Sequence, residues 1–373
     1  MSKKRKFGKK NVIKVDPLAY NIGLIGESGI GKTTLAVEVC NRLVGEDGYI
    51  LANIGKEDGV DAIPNAIYAD IPDWETFEEF VEDIIENRTS DYKDLKVVVY
   101  DTIDELFRIA EPEVIRLHNK AHPEKKTNSI KAAFGGFMAG EDKAIELVLD
   151  KIWELKSVGV SMMIVGHTKR KNQSDVATGE EYETLTANLT NRYFNAIKTK
   201  LHILGVASID RSIEKQRIKQ KVGADKIVGK VTSESRIITF RDDNFNIDSK
   251  SRFNEITPQI DLEVDQFIEA IEDAIKKAHN KQSGTKSIEE TKVEQEKAKV
   301  AEIEKVVEEV NKTKVNPEEN EELAEVIKEK FTSADDSTKA KVMEIMKEYN
   351  FTSFKDTDTI PTEALRKIVE LLG

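Results

Sequence analysis

Gly26-Glu27-Ser28-Gly29-Ile30-Gly31-Lys32-Thr33 fits the pattern G-x-x-x-x-G-K-[ST], and its neighbours decide how it reads. The apolar run Ile22–Ile25 precedes it, and a helical pattern from Thr34 to Leu43 follows. A strand must deliver such a loop and a helix N-terminus must receive the anion, because unpaired backbone N–H groups and the helix dipole both favour negative charge there. Gly26, Gly29 and Gly31 allow the backbone to wrap closely round phosphate oxygens, with Glu27, Ser28 and Ile30 between them and Thr34 opening the helix. In this pattern Lys32 reaches the β- and γ-phosphates of a nucleotide and Thr33 holds Mg²⁺. The plain alternative, a glycine-rich turn, leaves the flanking strand and helix unexplained.

A phosphate loop binds; hydrolysis needs further parts. Val97-Val98-Val99-Tyr100-Asp101 is an apolar strand ending in an acid, and Asp101 is the candidate second Mg²⁺ ligand. Thr102 follows it where some ATPases carry a water-activating glutamate. Acids do follow the strand Tyr49–Ile54, and a carboxylate there can orient and deprotonate the attacking water, so Glu57 is the candidate base and Asp58 the alternative. The strand Val160–Val165 runs into Gly166-His167-Thr168, and His167 at that tip is a candidate sensor of the γ-phosphate. A capping Asp, a charged turn and a surface histidine are the plain readings of these three positions.

Composition sets bounds on the rest. The chain has 373 residues with a net charge of −12, and half of that charge lies in residues 281–373, which carry 16 Lys/Arg and 22 Asp/Glu. Global charge does not announce nucleic-acid binding, so any basic contact surface must be local. The single cysteine, Cys40, excludes an internal disulfide and fits a reducing cytoplasm. Its place on the apolar face of the first helix reads as core. No apolar run approaches the length of a membrane span, and the basic start MSKKRKFGKK lacks the apolar stretch of a signal peptide.

Short apolar runs alternate with amphipathic helices from Ile13 to about Asn280, which predicts an α/β core with a mainly parallel sheet flanked by helices. Further strands are expected at 66–69, 201–208 and 236–241. Asp73 reads as the cap of a helix burying Trp74, Phe77, Val81 and Ile84, and 144–155 as a helix packed between layers. Residues 211–230 hold seven Lys/Arg and read as an exposed extended connection between two late strands. The expected division is a basic disordered arm (1–12), the core (13–280), a charged linker that can be helical (281–318) and a small three-helix module (319–373). In the linker, Val293, Val300, Ile303, Val307 and Val310 have spacings that could make a short coiled coil, but two heptads are few and a solvated linker is the simpler expectation.

The order of these parts, from the phosphate loop through Glu57, Ala69-Asp70-Ile71-Pro72-Asp73-Trp74 and Asp101 to Gly166-His167-Thr168, resembles the RecA superfamily of P-loop ATPases. More closely it is similar to single-domain phage ATPases of the AAA type, including Sak-type single-strand annealing proteins, over about residues 11–275. The resemblance implies an ATPase using ATP and Mg²⁺ that binds single-stranded DNA and promotes annealing or recombination. It implies DNA-facing loops near 127–140, with Phe134 and Phe137, and near 169–191, with Lys169, Arg170 and Lys171. It also implies that Lys250 and Arg252 reach the ATP of a neighbouring copy, in a head-to-tail ring or filament. A separate N-terminal oligomerisation domain, as in bacterial RecA, is not expected. The C-terminal helices lie outside the resemblance; a single-stranded-DNA-binding protein or replisome component is the partner expected there. The location implied is the cytoplasm, that of a bacterial host if phage-encoded, with no membrane contact. The rival readings are a regulatory RecA-like ATPase acting through protein partners, and a P-loop kinase, which an arginine-rich lid would have supported.

Overall fold

The computed structural model describes residues 8 and 11–372, apart from 57–58, 175–178, 180, 219–225, 243–246, 282–285, 314, 333 and 355–356. Six strands form a parallel core. They are β1 (Ile22–Gly26), β2 (Tyr49–Ile54), β3 (Tyr68–Ile71), β4 (Val97–Asp101), β5 (Ser161–Ser174) and β7 (Ile203–Ile218), in the order β3-β2-β4-β5-β1-β7. β8 (Lys226–Thr239) pairs antiparallel with β7, and β10 (Gln259–Asp261) pairs antiparallel with β8 at that margin. β6 (Glu181–Ala187) folds back on β5, and β9 (Lys250–Ser251) adds to β7. This is the expected RecA-like arrangement, with β5 inserted between β1 and the acid-bearing β4.

The central strands are buried along their whole length because helices cover both sheet faces. The alternation of β4 shows how. Val97 and Val99 join α1 (Lys32–Val44) and α6 (Val264–Asn280) on one face. Val98 and Tyr100 join α2 (Trp74–Glu86), α3 (Ile103–Ala121), α4 (Ala139–Ser157) and α5 (Asn191–Lys198) on the other. Cys40 is buried in the first of these layers, and burial pushes its thiol up to about 12. Asp73 caps α2 as its position predicts, accepting from Thr76 N at 2.9 Å, and Trp74, Phe77, Val81 and Ile84 are its buried face.

Three expectations need correction. The strand predicted at 160–165 continues to Ser174, and 168–174 pairs with β6, so much of the expected loop 169–191 is a β-hairpin. Residues 181–187 of β6, with Thr184, Leu185 and Thr186 at the centre, supply a partner for every residue of the β5 extension. Second, Trp153 on α4 is 39% exposed, so that helix buries the stripe Ala144, Val148, Ile152 and Leu155 rather than most sides. Third, the charged segment after 281 contains a 26-residue helix, α7 (Ile288–Thr313), that docks on the core. Val293 and Val300 stay exposed while Val307 is buried and Ile303 and Val306 pack beside it, so the valine spacing serves intramolecular docking and no coiled-coil seam. Gln295 fixes the same helix by bonding Val15 N and Ile13 O. Beyond it, α8 (Pro317–Phe331), α9 (Asp336–Glu348) and α10 (Thr362–Leu372) enclose a small core of Ile327, Val342, Met346, Leu365 and Ile368.

Candidate active site at the C-terminal edge of the sheet

Parallel strands deliver their C-terminal ends to one edge, and the sheet register aligns the motif residues there. Gly26 sits opposite His167 on one side and Ala207 on the other. Asp101 sits opposite Val165 of β5 and Asn53 of β2. A Cβ at Gly26 would lie 2.8 Å from Ala207 O, so the close approach of β7 requires glycine. Gly31 occupies the left-handed region at φ 110° and turns the chain into α1.

The first turn of α1 differs from those of its neighbours. α2 and α3 are capped by Asp73 and Thr102 and carry acids in their first turns. α1 has no side-chain cap and no acid there. A glycine N-cap with no acid in the turn leaves room for an anion at this helix start, which suits a phosphate acceptor. Lys32 is 5% exposed, and its ammonium donates across the loop to Glu27 O at 2.9 Å. Thr33 Oγ1 donates to Asp101 Oδ2 at 2.8 Å, with Asp101 7% exposed. A hydroxyl and a carboxylate so close, beside an anion-binding turn, form the hard oxygen donor set that Mg²⁺ takes. Thr33 and Asp101 would hold the ion, which would neutralise phosphate charge.

His167 stands at the tip of the β5 core segment, where its backbone N–H donates to Asp104 Oδ2 at 2.9 Å and its Nδ1 lies 3.7 Å from the same oxygen. The sequence reading missed Asp104, because its role depends on the first turn of α3 packing over Gly166. A Cβ at Gly166 would come within 3.1 Å of Asp104 Oδ2. Glu105 was missed too, although Thr102-Ile103-Asp104-Glu105 has the T-x-x-E spacing of a capping box. It packs on Gly55 at the end of β2 and pairs with Arg108 at 2.8 Å. Glu57 and Asp58 lie outside the described residues. The strand leading to them, β2, is separated from β1 by β5 and β4, and its end reaches the same edge. Arg236 of β8 was also missed: its Nη1 donates to Ile30 O at 3.2 Å, which brings a cation to the loop from a distant strand.

The residues expected to face DNA divide. Phe134 turns inward, stacked edge-on against buried His118 at 5.3 Å. That histidine accepts from Phe134 N at 3.0 Å and contacts Lys125 O at 2.9 Å, pinning the segment from both sides. Phe137 is fully exposed, and Met138 beside it is 53% exposed. Arg192, at the start of α5 below the β5–β6 hairpin, bonds Asp142 and contacts Met138 Sδ at 3.3 Å, so the two regions adjoin. On the hairpin, Lys169 bonds Asn188 O and Leu189 O, Lys171 is exposed, and Arg170 pairs with Glu183 at 3.1 Å and with Glu27 of the phosphate loop at 3.8 Å.

Lys250 and Arg252 lie elsewhere. Lys250 pairs with Leu204 and Arg252 N bonds His202 O, near the start of β7 and so at the opposite edge of the sheet. Their side chains donate to Lys198 O at 2.6 Å and Thr199 O at 3.0 Å, closing the C-terminus of α5. Within one copy they do not join the phosphate loop.

The crystal structure of flagellar accessory protein FlaH from Methanocaldococcus jannaschii is similar at 10% identity, covering 59% of this chain and 84% of that one, with a TM-score of 0.28. No curated protein matches the chain. The family described as an AAA domain matches residues 18–253, from just before β1 to the residue after Arg252. A match over more than half of the chain, on the loop and acid described above, places this protein in the AAA-domain family of P-loop ATPases.

Proposed function

We propose that the protein hydrolyses ATP at Gly26–Thr33 and Asp101, and that this cycle controls its grip on single-stranded DNA during annealing or strand pairing. The observation that carries the second half is Arg170. It sits on the β5–β6 hairpin, whose core strand ends at His167, and it pairs with Glu27 inside the phosphate loop. A nucleotide arriving at the loop competes for that neighbourhood, so the hairpin and the adjoining Phe137 loop change with nucleotide state. Aromatic and basic groups on such elements suit stacked bases and backbone phosphates. Glu57 is assigned the water-activating role and His167 the sensing role, coupled through Asp104 to α3. Lys250 and Arg252 are assigned to the neighbouring copy's ATP in a head-to-tail ring or filament.

The test is ATP turnover with and without single-stranded DNA, for the wild type and Lys32→Ala. DNA-stimulated turnover that disappears in the variant supports the reading. Turnover indifferent to DNA, with no retention on DNA at low salt, refutes the DNA role and leaves the ATPase. A second reading, a regulatory ATPase that signals to a protein partner, is favoured by the C-terminal helices with their own small core. Removing residues 319–373 without any change in DNA-stimulated turnover, but with loss of a bound partner, would favour it.

A further inference from the structure

A cavity of about 540 Å³ opens at the sheet edge opposite the phosphate loop, and its lining is cationic. Lys14, Lys156 and Arg252 line it, with the aromatic rings of Tyr20 and His202 packed edge-on at 5.3 Å between them. Glu255 is the one acidic residue of the lining, and it is bonded to Lys281 at 2.6 Å. Lys156 donates to Asn21 Oδ1 and Arg252 to Thr199 O, both neutral acceptors, so no acid of the lining offsets their charge. His202 is a neutral donor: its Nδ1 accepts from Asn21 N at 3.0 Å, which leaves the proton on Nε2. Burial and the cations Lys156, Arg252, Lys14 and Lys250 keep it neutral by holding its pKa down at about 4. Burial, with Lys14 nearby, likewise lowers Lys156 to about 8. Like charges gathered round a small-molecule-sized hollow are unfavourable when nothing opposes them, which is the signature of a ligand site.

We infer that this cavity binds a multiply charged phosphate anion, of the size of a diphosphate or a small organic phosphate, through Lys156, Arg252, Lys14 and the Nε2–H of His202. A guanidinium and ammonium groups together match phosphate oxygens, and the excess of positive charge selects a polyvalent over a monovalent anion. The inference does not rest on the ATPase reading, because no phosphate-loop residue lines the cavity. Two sources share the chemistry: a free anion, or the phosphates of a nucleotide held by an adjoining copy.

The experiment is calorimetric titration of inorganic pyrophosphate into the full chain already saturated with Mg·ADP, at constant ionic strength. One further binding event is expected, weakened about tenfold or more in Lys156→Met and in Arg252→Met. Lys32→Ala should retain it. The Lys156→Met protein without anion should melt at a higher temperature than the wild type, which also verifies that it folds. Absence of the event, or wild-type affinity in both variants, overturns the inference. Sedimentation separates the sources. Pyrophosphate that dissolves an ATP-dependent assembly assigns the site to a neighbour's nucleotide; binding with no change in sedimentation assigns it to a free anion.

Discussion

The two edges of the sheet handle anions by different means. At the C-terminal edge, the phosphate loop supplies backbone N–H groups, a helix start without side-chain cap or acid, and one lysine. At the opposite edge, the donors are side chains from four separate elements: Lys14 before β1, Lys156 on α4, His202 before β7 and Arg252 after β9. The first device is local in sequence and compatible with tight packing. The second gathers like charges and is unfavourable until an anion arrives. Backbone donors carry no net charge to desolvate, whereas buried ammonium groups do.

The comparison breaks most clearly at the phosphate loop. Lys32→Ala should lower turnover by roughly 10²–10³-fold, as loss of one transition-state donor does, measured as steady-state ATP hydrolysis. Retained turnover would remove the C-terminal edge from catalysis. Glu57→Gln should lower turnover about 10²-fold or more with ATP still bound. If only Glu105→Gln, at the end of β2 against Gly55, has that effect, the base belongs to α3 instead.

Packing predictions sharpen the same contrast. Gly26→Ala should cost about 1–3 kcal/mol by overpacking against Ala207, read from denaturant unfolding. Phe134→Ala should cost about 2 kcal/mol or more, since its ring packs on His118. Phe137→Ala, three residues on, should stay within about 0.5 kcal/mol yet weaken DNA retention. Equal effects of the two phenylalanines on stability would contradict the division of that loop.

The smallest effect tests the opposite edge by pH. Lys156 has a folded pKa of about 8 against an ordinary 10.5, so the unfolded chain holds more protons between those values. Stability should therefore rise as pH goes from 8 to 10.5 and level off below 8, where both states hold the proton. The groups around it are Lys14, Lys250, Arg252, His202, Tyr20 and the Glu255–Lys281 pair, and Tyr20 is raised to about 12, above the window. Lys156→Met should flatten the rise in thermal unfolding measured across that range.

Much of the C-terminal edge was legible in the chain because its parts are local. Eight consecutive residues make the phosphate loop, five make the β4 strand with Asp101, and the Asp73 cap lies next to the face it opens. What sequence missed there came through contacts between distant segments: Asp104 over Gly166, Glu105 against Gly55, and Arg236 on Ile30 O. Periodicity found the helix in the charged region but could not say what its valines face, since docking on the core and pairing with another helix need the same spacing.

By itself, then, the sequence determined an α/β core with a phosphate-loop motif, the residues expected to contact phosphate and metal, and the alternation that buries both faces of the sheet. Only the tertiary structure decided that residues 168–174 pair with 181–187 beside the loop, that α7 returns to the core, and that three cations and a neutral histidine from four elements share a cavity. The physical reason is range. Turn chemistry, capping and hydrophobic period act within a few residues and are written in them. The meeting of Lys14, Lys156, His202 and Arg252 follows from strand order, which no local pattern encodes.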